Sequence, residues 1–422
     1  MTYLSTNFNK DSIVLFLISI SKLLTMLIGM VNLFLLQYYF GIDSLGKYVS
    51  VTSLVIGVSF PIALSLNSHF QRVSAHNSST IINEYISSSF ILGIIFGAIS
   101  YFLLKFFYSY DELDQRFWFC LLVIIFSCLF MVKHSLMGLL KANGKMRLLS
   151  IIEIIVPFLF FLIILLAILF FTFSASFLFF VTSYFLVEIF IIFLLISIVL
   201  KKSIFLVPKI NKAFELLNYI KKRIISNISQ SFNIYGLIVL ISYAYGPSVA
   251  GFIKILERIT FLVQLPSIAS NQMLVRDINT ALVEKSQKKY SKIFSDKSKN
   301  IFIYQFMLLI IIIPAMHFLD NLNYLKNTTS YDSYKFIFII ASSYLIVTLL
   351  KWPFLRSSLV GNIGNLMSAS LYAIFAQILF ALWALYMDVT LIVLLLIYPL
   401  GIILGNVILA VYTKQAEYYL WQ

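Results

Sequence analysis

Charge is scarce in this chain. Of its 422 residues only 11% are Asp, Glu, Lys or Arg, while 61% are hydrophobic. Soluble domains carry about 25% charged residues. A water-exposed fold with this much Phe, Ile and Leu would present a vast apolar surface. A lipid solvent removes that difficulty. Cysteine is scarce too. Cys120 and Cys128 lie eight residues apart in one apolar segment, too far along a helix to bridge, so neither a disulfide framework nor a zinc site is visible. The four histidines, His69, His76, His134 and His317, show no metal-ligand spacing. His69 and His76 could share one helix face and read as a solvated helix end. No metal and no cofactor is expected. Acids are the rarer charge, 17 against 31 Lys and Arg, for a net charge of +14. Such an excess suggests nucleic acid only when it clusters on a folded surface. Here the bases fall between apolar segments, so no nucleic-acid partner is expected.

Long hydrophobic runs are what the chain has in abundance. Crossing a bilayer core takes about 20 apolar residues per helix. Twelve candidate spans run near 12–39, 47–67, 81–106, 117–138, 148–171, 176–200, 220–244, 250–274, 300–319, 334–354, 366–387 and 390–412. The first is longer than a signal-peptide core of roughly 7–15 residues and reads as a retained helix. Lipid-facing open sheets would leave unsatisfied edges, and a barrel needs alternating segments of about ten residues. The expected fold is therefore all-α and integral to the membrane.

The bases set the orientation. With both termini in the cytoplasm, 23 of the 31 Lys and Arg fall in inner loops and ends, among them Lys133 and Lys141, five fall in outer loops, and Lys22, Lys254 and Arg258 lie within spans. That asymmetry is a strong positive-inside signal. The largest inner connections are 201–219, at the middle of the chain, and 275–299, a basic amphipathic stretch suited to rest on anionic headgroups. The acidic run Asp111, Glu112 and Asp114 reads as a short solvated outer loop.

Sliding the chain against itself by 205 residues aligns Ser21 with Ser226, Tyr38 with Tyr243, Gly41 with Gly246, Gly46 with Gly251, Pro61 with Pro266 and Ser65 with Ser270, without a gap. Each feature has a physical use. Gly41 and Gly246 can end a helix in the left-handed region, and Gly46 and Gly251 permit a tight turn into the next helix. Pro61 and Pro266 kink the helices that hold them. The reading is two six-helix bundles, residues 1–200 and 220–422, joined by a cytoplasmic linker at 201–219 and related by a pseudo-two-fold axis along the membrane normal. Substrate sites of such transporters lie between the repeats.

Ionisable residues within spans are costly and therefore candidates for function. Lys22 lies roughly 15 Å above the inner end of the first span and Arg258 roughly 12 Å below the outer end of the eighth, at 1.5 Å per residue. Lys254 is one helical turn before Arg258, on the same face. Lys22, Arg258 and Lys254 are candidates for a cationic cavity that binds an anionic headgroup such as a pyrophosphate; internal pairing is the plain alternative. Glu188, at about mid-depth, is a candidate for ion coupling or a partner for Lys22 or Arg258. Glu257 can neutralise a lysine of a neighbouring helix, and Glu153 reads as interfacial or paired. Asn32, Gln37, Asn227, Gln230, Asn233, Gln264, Asn271 and Gln272 read mainly as helix-to-helix hydrogen-bonding groups.

The stretch YYFGIDSLGKY at 38–48, the proline-bearing second span closed by HFQR at 69–72, LMGLLKANGKMR at 136–147, and YAYGPSVAGF at 243–252 followed by ILERI at 255–259 resemble the Wzx-type polysaccharide (O-antigen) flippases of the multidrug/oligosaccharidyl-lipid/polysaccharide exporter (MOP) superfamily. That resemblance implies a multi-pass protein of the bacterial cytoplasmic (inner) membrane, not an enzyme. It would flip undecaprenyl-pyrophosphate-linked glycan units to the periplasmic leaflet by alternating access, for O-antigen, lipopolysaccharide or capsule. Its partners would be the polyisoprenoid-linked oligosaccharide, membrane lipids and other glycan-assembly membrane proteins. The alternative is a multidrug or cation exporter of the same superfamily, which should hold more buried acids than bases. A membrane glycan polymerase or glycosyltransferase would need clustered carboxylates or a metal site, and neither is visible.

Overall fold

The computed structural model describes residues 2–73, 79–108, 117–143, 145–170, 176–199, 208–283, 286–321, 333–350, 353, 363–387 and 389–421. Among them all the regular structure is helical. The helices are α1 (Thr2–Val73), α2 (Ser79–Phe107), α3 (Phe117–Ala142), α4 (Met146–Phe170), α5 (Phe177–Val199), α6 (Ile210–Ser231), α7 (Leu237–Tyr245), α8 (Pro247–Val283), α9 (Gln287–Asn321), α10 (Ser333–Leu349), α11 (Ile363–Tyr386), α12 (Leu391–Leu395) and α13 (Ile397–Trp421). Helices are the form that satisfies every backbone group within its own segment where no water is available. Nine segments among the described residues are long and apolar enough to cross a membrane, and the longest, Ile20–Gln71, is 52 residues. The protein is a multi-pass membrane protein.

That longest segment is two rods. Gly41 has φ 83° and ψ 159°, outside helical space, and breaks α1 in its middle. The Asp111 run and residues 201–207 lie outside the described residues, as does the side chain of Arg276. Residues 210–219 of the expected linker are helical and form the first turns of α6. A π-turn, Phe232–Gly236, joins α6 to α7.

By packing, the chain divides into two compact units, residues 20–251 and residues 252–422 with 1–19. In the first, α2 lies close along α3. A Cβ on Gly93 would stand 2.2 Å from the Cα of Cys128, and one on Gly97 2.8 Å from that of Ile124. A glycine every four residues lets two backbones approach this closely, which is the main source of helix association in lipid. Phe126 of α3 stacks on Phe185 of α5 with ring centroids 4.3 Å apart. In the second unit, Gln305 of α9 donates to Ser267 at 2.8 Å and accepts from Thr348 of α10 at 2.7 Å. Gln377 of α11 donates to the Ile397 carbonyl at 3.1 Å, in the space opened by Gly401.

Candidate functional site

Two proline kinks show how this sequence places polar groups within apolar helices. Proline lacks the N–H that would bond the carbonyl four residues earlier. Pro61 thereby frees the carbonyl of Gly57, and Ser231 of α6 donates its hydroxyl to that oxygen at 2.7 Å. Pro157 frees the carbonyl of Glu153, which accepts from Thr25 of α1 at 3.3 Å. Asn32 donates to the Pro157 carbonyl at 3.0 Å, and Asn227 to Ser65 at 3.0 Å. Hydroxyl and amide side chains of neighbouring helices thus satisfy backbone groups around the kinks.

Several charged residues in the helices form ion pairs among the described residues. Lys22 of α1 forms an ion pair with Glu153 of α4, their side chains 34% and 24% exposed. Lys254 and Glu257 pair at 2.7 Å within α8, 10% and 15% exposed. Glu188 of α5 pairs with Lys133 of α3 at 7% and 12% exposure respectively, and Tyr184 donates to the other Glu188 oxygen at 3.4 Å.

Three expectations are corrected. Glu188, read as an ion-coupling group or a partner for Lys22 or Arg258, pairs with Lys133 instead, which lies within α3 and not in an inner loop. Glu257 pairs along its own helix, because three residues place it on the same face as Lys254, and not with a neighbouring helix. Lys141 also lies within the packed helices, donating to Asn67 at 3.3 Å. Arg258, one turn beyond Lys254, has an exposed side chain. Lys22 and Arg258 belong to different compact units.

Sequence reasoning missed Lys133 and Lys141 because both lie near the basic end of an apolar run, where a lysine ordinarily reaches out to headgroups. The spacing of Lys133 from the LLKANGK turn was the available signal. The interior of the first unit holds Lys22, Lys133 and Lys141 with Glu153 and Glu188.

The repeat is expressed in three dimensions. Gly246 has φ 89° and ψ 163°, matching Gly41 to within a few degrees, and these are the positive-φ glycines among the described residues. Gly46 and Gly251 touch. A Cβ on Gly46 would fall 1.7 Å from the Pro247 carbonyl oxygen, and one on Gly251 would lie 2.9 Å from the Gly46 nitrogen. Beside them Ser248 donates to Asp43 at 3.3 Å, another pair 205 positions apart, and Ser50 donates to Ser242 at 2.7 Å. Pro61 and Pro266 both lie inside helices.

No family model matches the sequence, and no curated protein matches it. Solved structures do match. A MATE protein in complex with MaL6 aligns over 96% of each chain with a TM-score of 0.65 at 12% identity. A MOP superfamily transporter from Pyrococcus furiosus, whose binding pocket of reverse polarity is said to suggest a different function, aligns over 97% of this chain and 96% of its own, TM-score 0.64, at 13% identity. An inward-facing multidrug resistance MATE family transporter of the MOP superfamily aligns over 94% of this chain and 95% of its own, TM-score 0.63, at 13% identity. The chain has the fold of MATE transporters of the MOP superfamily.

Proposed function

We propose that this protein is an exporter that works by alternating access, with twelve membrane crossings arranged as two six-helix repeats. The observation that carries this reading is the contact of Gly46 with Gly251. Repeat-related turns meet there, and the positive-inside reading puts them on the side opposite the basic loops. Such a seam can close one side of a transporter and part when the repeats rock. Fold relatives solved in inward-facing and outward-facing conformations support the same cycle.

For the cargo, the fold relatives described as multidrug transporters favour an organic-molecule exporter over a lipid-linked oligosaccharide flippase. Nothing in the comparisons supports O-antigen or lipopolysaccharide assembly. The flippase reading keeps one specific observation. Three acids read as buried within the spans, Glu153, Glu188 and Glu257, each face a lysine, so none of these three is an open carboxylate for a cationic drug. The reverse-polarity pocket reported for one fold relative is consistent with a basic interior. On that reading Lys22 and Arg258 would capture a pyrophosphate, with Lys254 nearby, and Glu188 would contribute to ion coupling.

One experiment separates the two cargos. The purified protein is reconstituted in liposomes, and uptake of a cationic dye and flipping of a fluorescent polyisoprenoid-pyrophosphate glycan are measured side by side. Dye transport without flipping supports the multidrug reading. Flipping without dye transport supports the other. Neither activity, with intact insertion, would remove the exporter proposal.

A further inference from the structure

The first turns of α6 carry a feature that the transport reading does not use. At 100° per residue, residues 209–223 divide into three faces. Ala213, Leu216 and Ile220 are buried against the protein. At the start of that same face Lys209 pairs with Glu84 at 2.6 Å, and on a second face Tyr85 donates to Glu215 at 2.6 Å while Tyr219 stacks on His69 with centroids 5.8 Å apart. These contacts fix the segment onto the inner ends of α1 and α2. The third face is apolar: Ile210 is 62% exposed and Phe214 59%, and Leu217, one turn on, is half-buried.

That third face continues along the helix. Eighteen residues are five turns, so Ile228, also exposed, stands in register with Ile210. Lys221 interrupts the stripe between Leu217 and Ile228, and Lys222 follows it. Both are exposed. Lys221 donates to Asn218 at 3.5 Å, and neither lysine has a carboxylate partner among the described residues. The span that begins at Ile210 and ends at Tyr245 has 36 residues, about 54 Å of helix at 1.5 Å per residue. A bilayer with its headgroups is about 40–45 Å thick, and helix tilts range up to about 40°. At that tilt the whole helix fits, with its first turns in the headgroup layer.

We propose that residues 210–223 form a binding surface for anionic phospholipid headgroups on the basic side of the membrane. Ile210, Phe214 and Leu217 would enter the interfacial layer, and Lys221 and Lys222 would meet the phosphates. The occupant follows from continuity and charge. Whatever solvent covers Ile228 within the membrane also covers the same stripe one step further out. Between Lys209 and Arg223 the segment carries five basic residues against the single acid Glu215. Amphipathic helices of this kind bind through buried apolar area together with attraction to anionic lipid.

The test uses the full chain in nanodiscs with Cys120 and Cys128 replaced by serine. A nitroxide at Phe214→Cys is compared with one at Asn211→Cys, on a polar face. The proposal expects the probe at 214 to relax with dissolved oxygen and to be shielded from a water-soluble nickel complex, and the probe at 211 to show the reverse. A probe at 214 open to nickel would overturn it and leave the face to a soluble partner. Independently, native mass spectrometry should show phosphatidylglycerol retained over phosphatidylcholine. K221Q/K222Q should reduce that preference about thirtyfold, given about 1 kcal/mol per basic residue near an anionic surface. An unchanged preference would overturn the charge assignment.

Discussion

Gly46 and Gly251 meet backbone to backbone at the seam of the repeat, with no room for a Cβ on either: the Pro247 oxygen stands 1.7 Å from where one would be on Gly46. Gly46→Val should therefore force the turns apart. Because the obstacle is backbone, the strain is not relieved by a rotamer change. The variant should insert normally but lose most transport, with a Tm lowered by several degrees, as overpacking of about 1–3 kcal/mol would give. Transport at the native rate would show that the seam does not close during the cycle.

Gly41 and Gly246 make a separate prediction, because nothing lies within 4 Å of a Cβ placed on either. The cost of Gly41→Ala or Gly246→Ala is conformational only. At φ 83–89° and ψ 159–163°, a region essentially reserved for glycine, a side chain costs of order 1–3 kcal/mol. The two single variants should show equal losses of thermal stability. Unequal losses would mean that the two turns are not equivalent.

The Pro61 kink is testable through Ser231. Ser231→Ala leaves the Gly57 carbonyl without its donor at 2.7 Å and should cost about 1–3 kcal/mol, the penalty of a buried unsatisfied acceptor. Pro61→Ala restores a backbone N–H to the same carbonyl. The double variant should therefore be more stable than Ser231→Ala alone. Additive losses would show that the hydroxyl does not act on that carbonyl.

Lys22 and Glu153 predict a different pattern. Removing one partner of a low-dielectric ion pair strands the other charge, whereas removing both can be neutral. Lys22→Met should lower the Tm clearly, and Lys22→Met with Glu153→Met should recover it. If Lys22 binds an anionic cargo, the recovered double variant will still fail to transport. A double variant that is stable and fully active would confine the pair to a structural role.

The sequence was most legible where a rule of the membrane allowed few outcomes. Long apolar runs become helices because lipid offers the backbone no other partner, and the glycine and proline repeat translated directly into matched turns and helix-borne prolines. Partners were less legible. Nothing in the spacing of Glu188 distinguishes Lys133 from Lys22, since the choice depends on how α3 and α5 rotate against each other, which Phe126 and Phe185 decide by stacking. Lys254 and Glu257 could have been paired from their spacing alone. The long first turns of α6 were hidden because a basic run beside a span reads as a loop until its buried face, Ala213, Leu216 and Ile220, is seen against the protein.

Alternating access is tested most directly at Asp43 and Ser248, whose side chains lie 3.3 Å apart across the seam. In a background without Cys120 and Cys128, Asp43→Cys with Ser248→Cys should form a disulfide under mild oxidation. Transport in proteoliposomes should stop when the bond forms and return on reduction, with each single variant unaffected by oxidant. Full transport by the cross-linked protein would contradict the account.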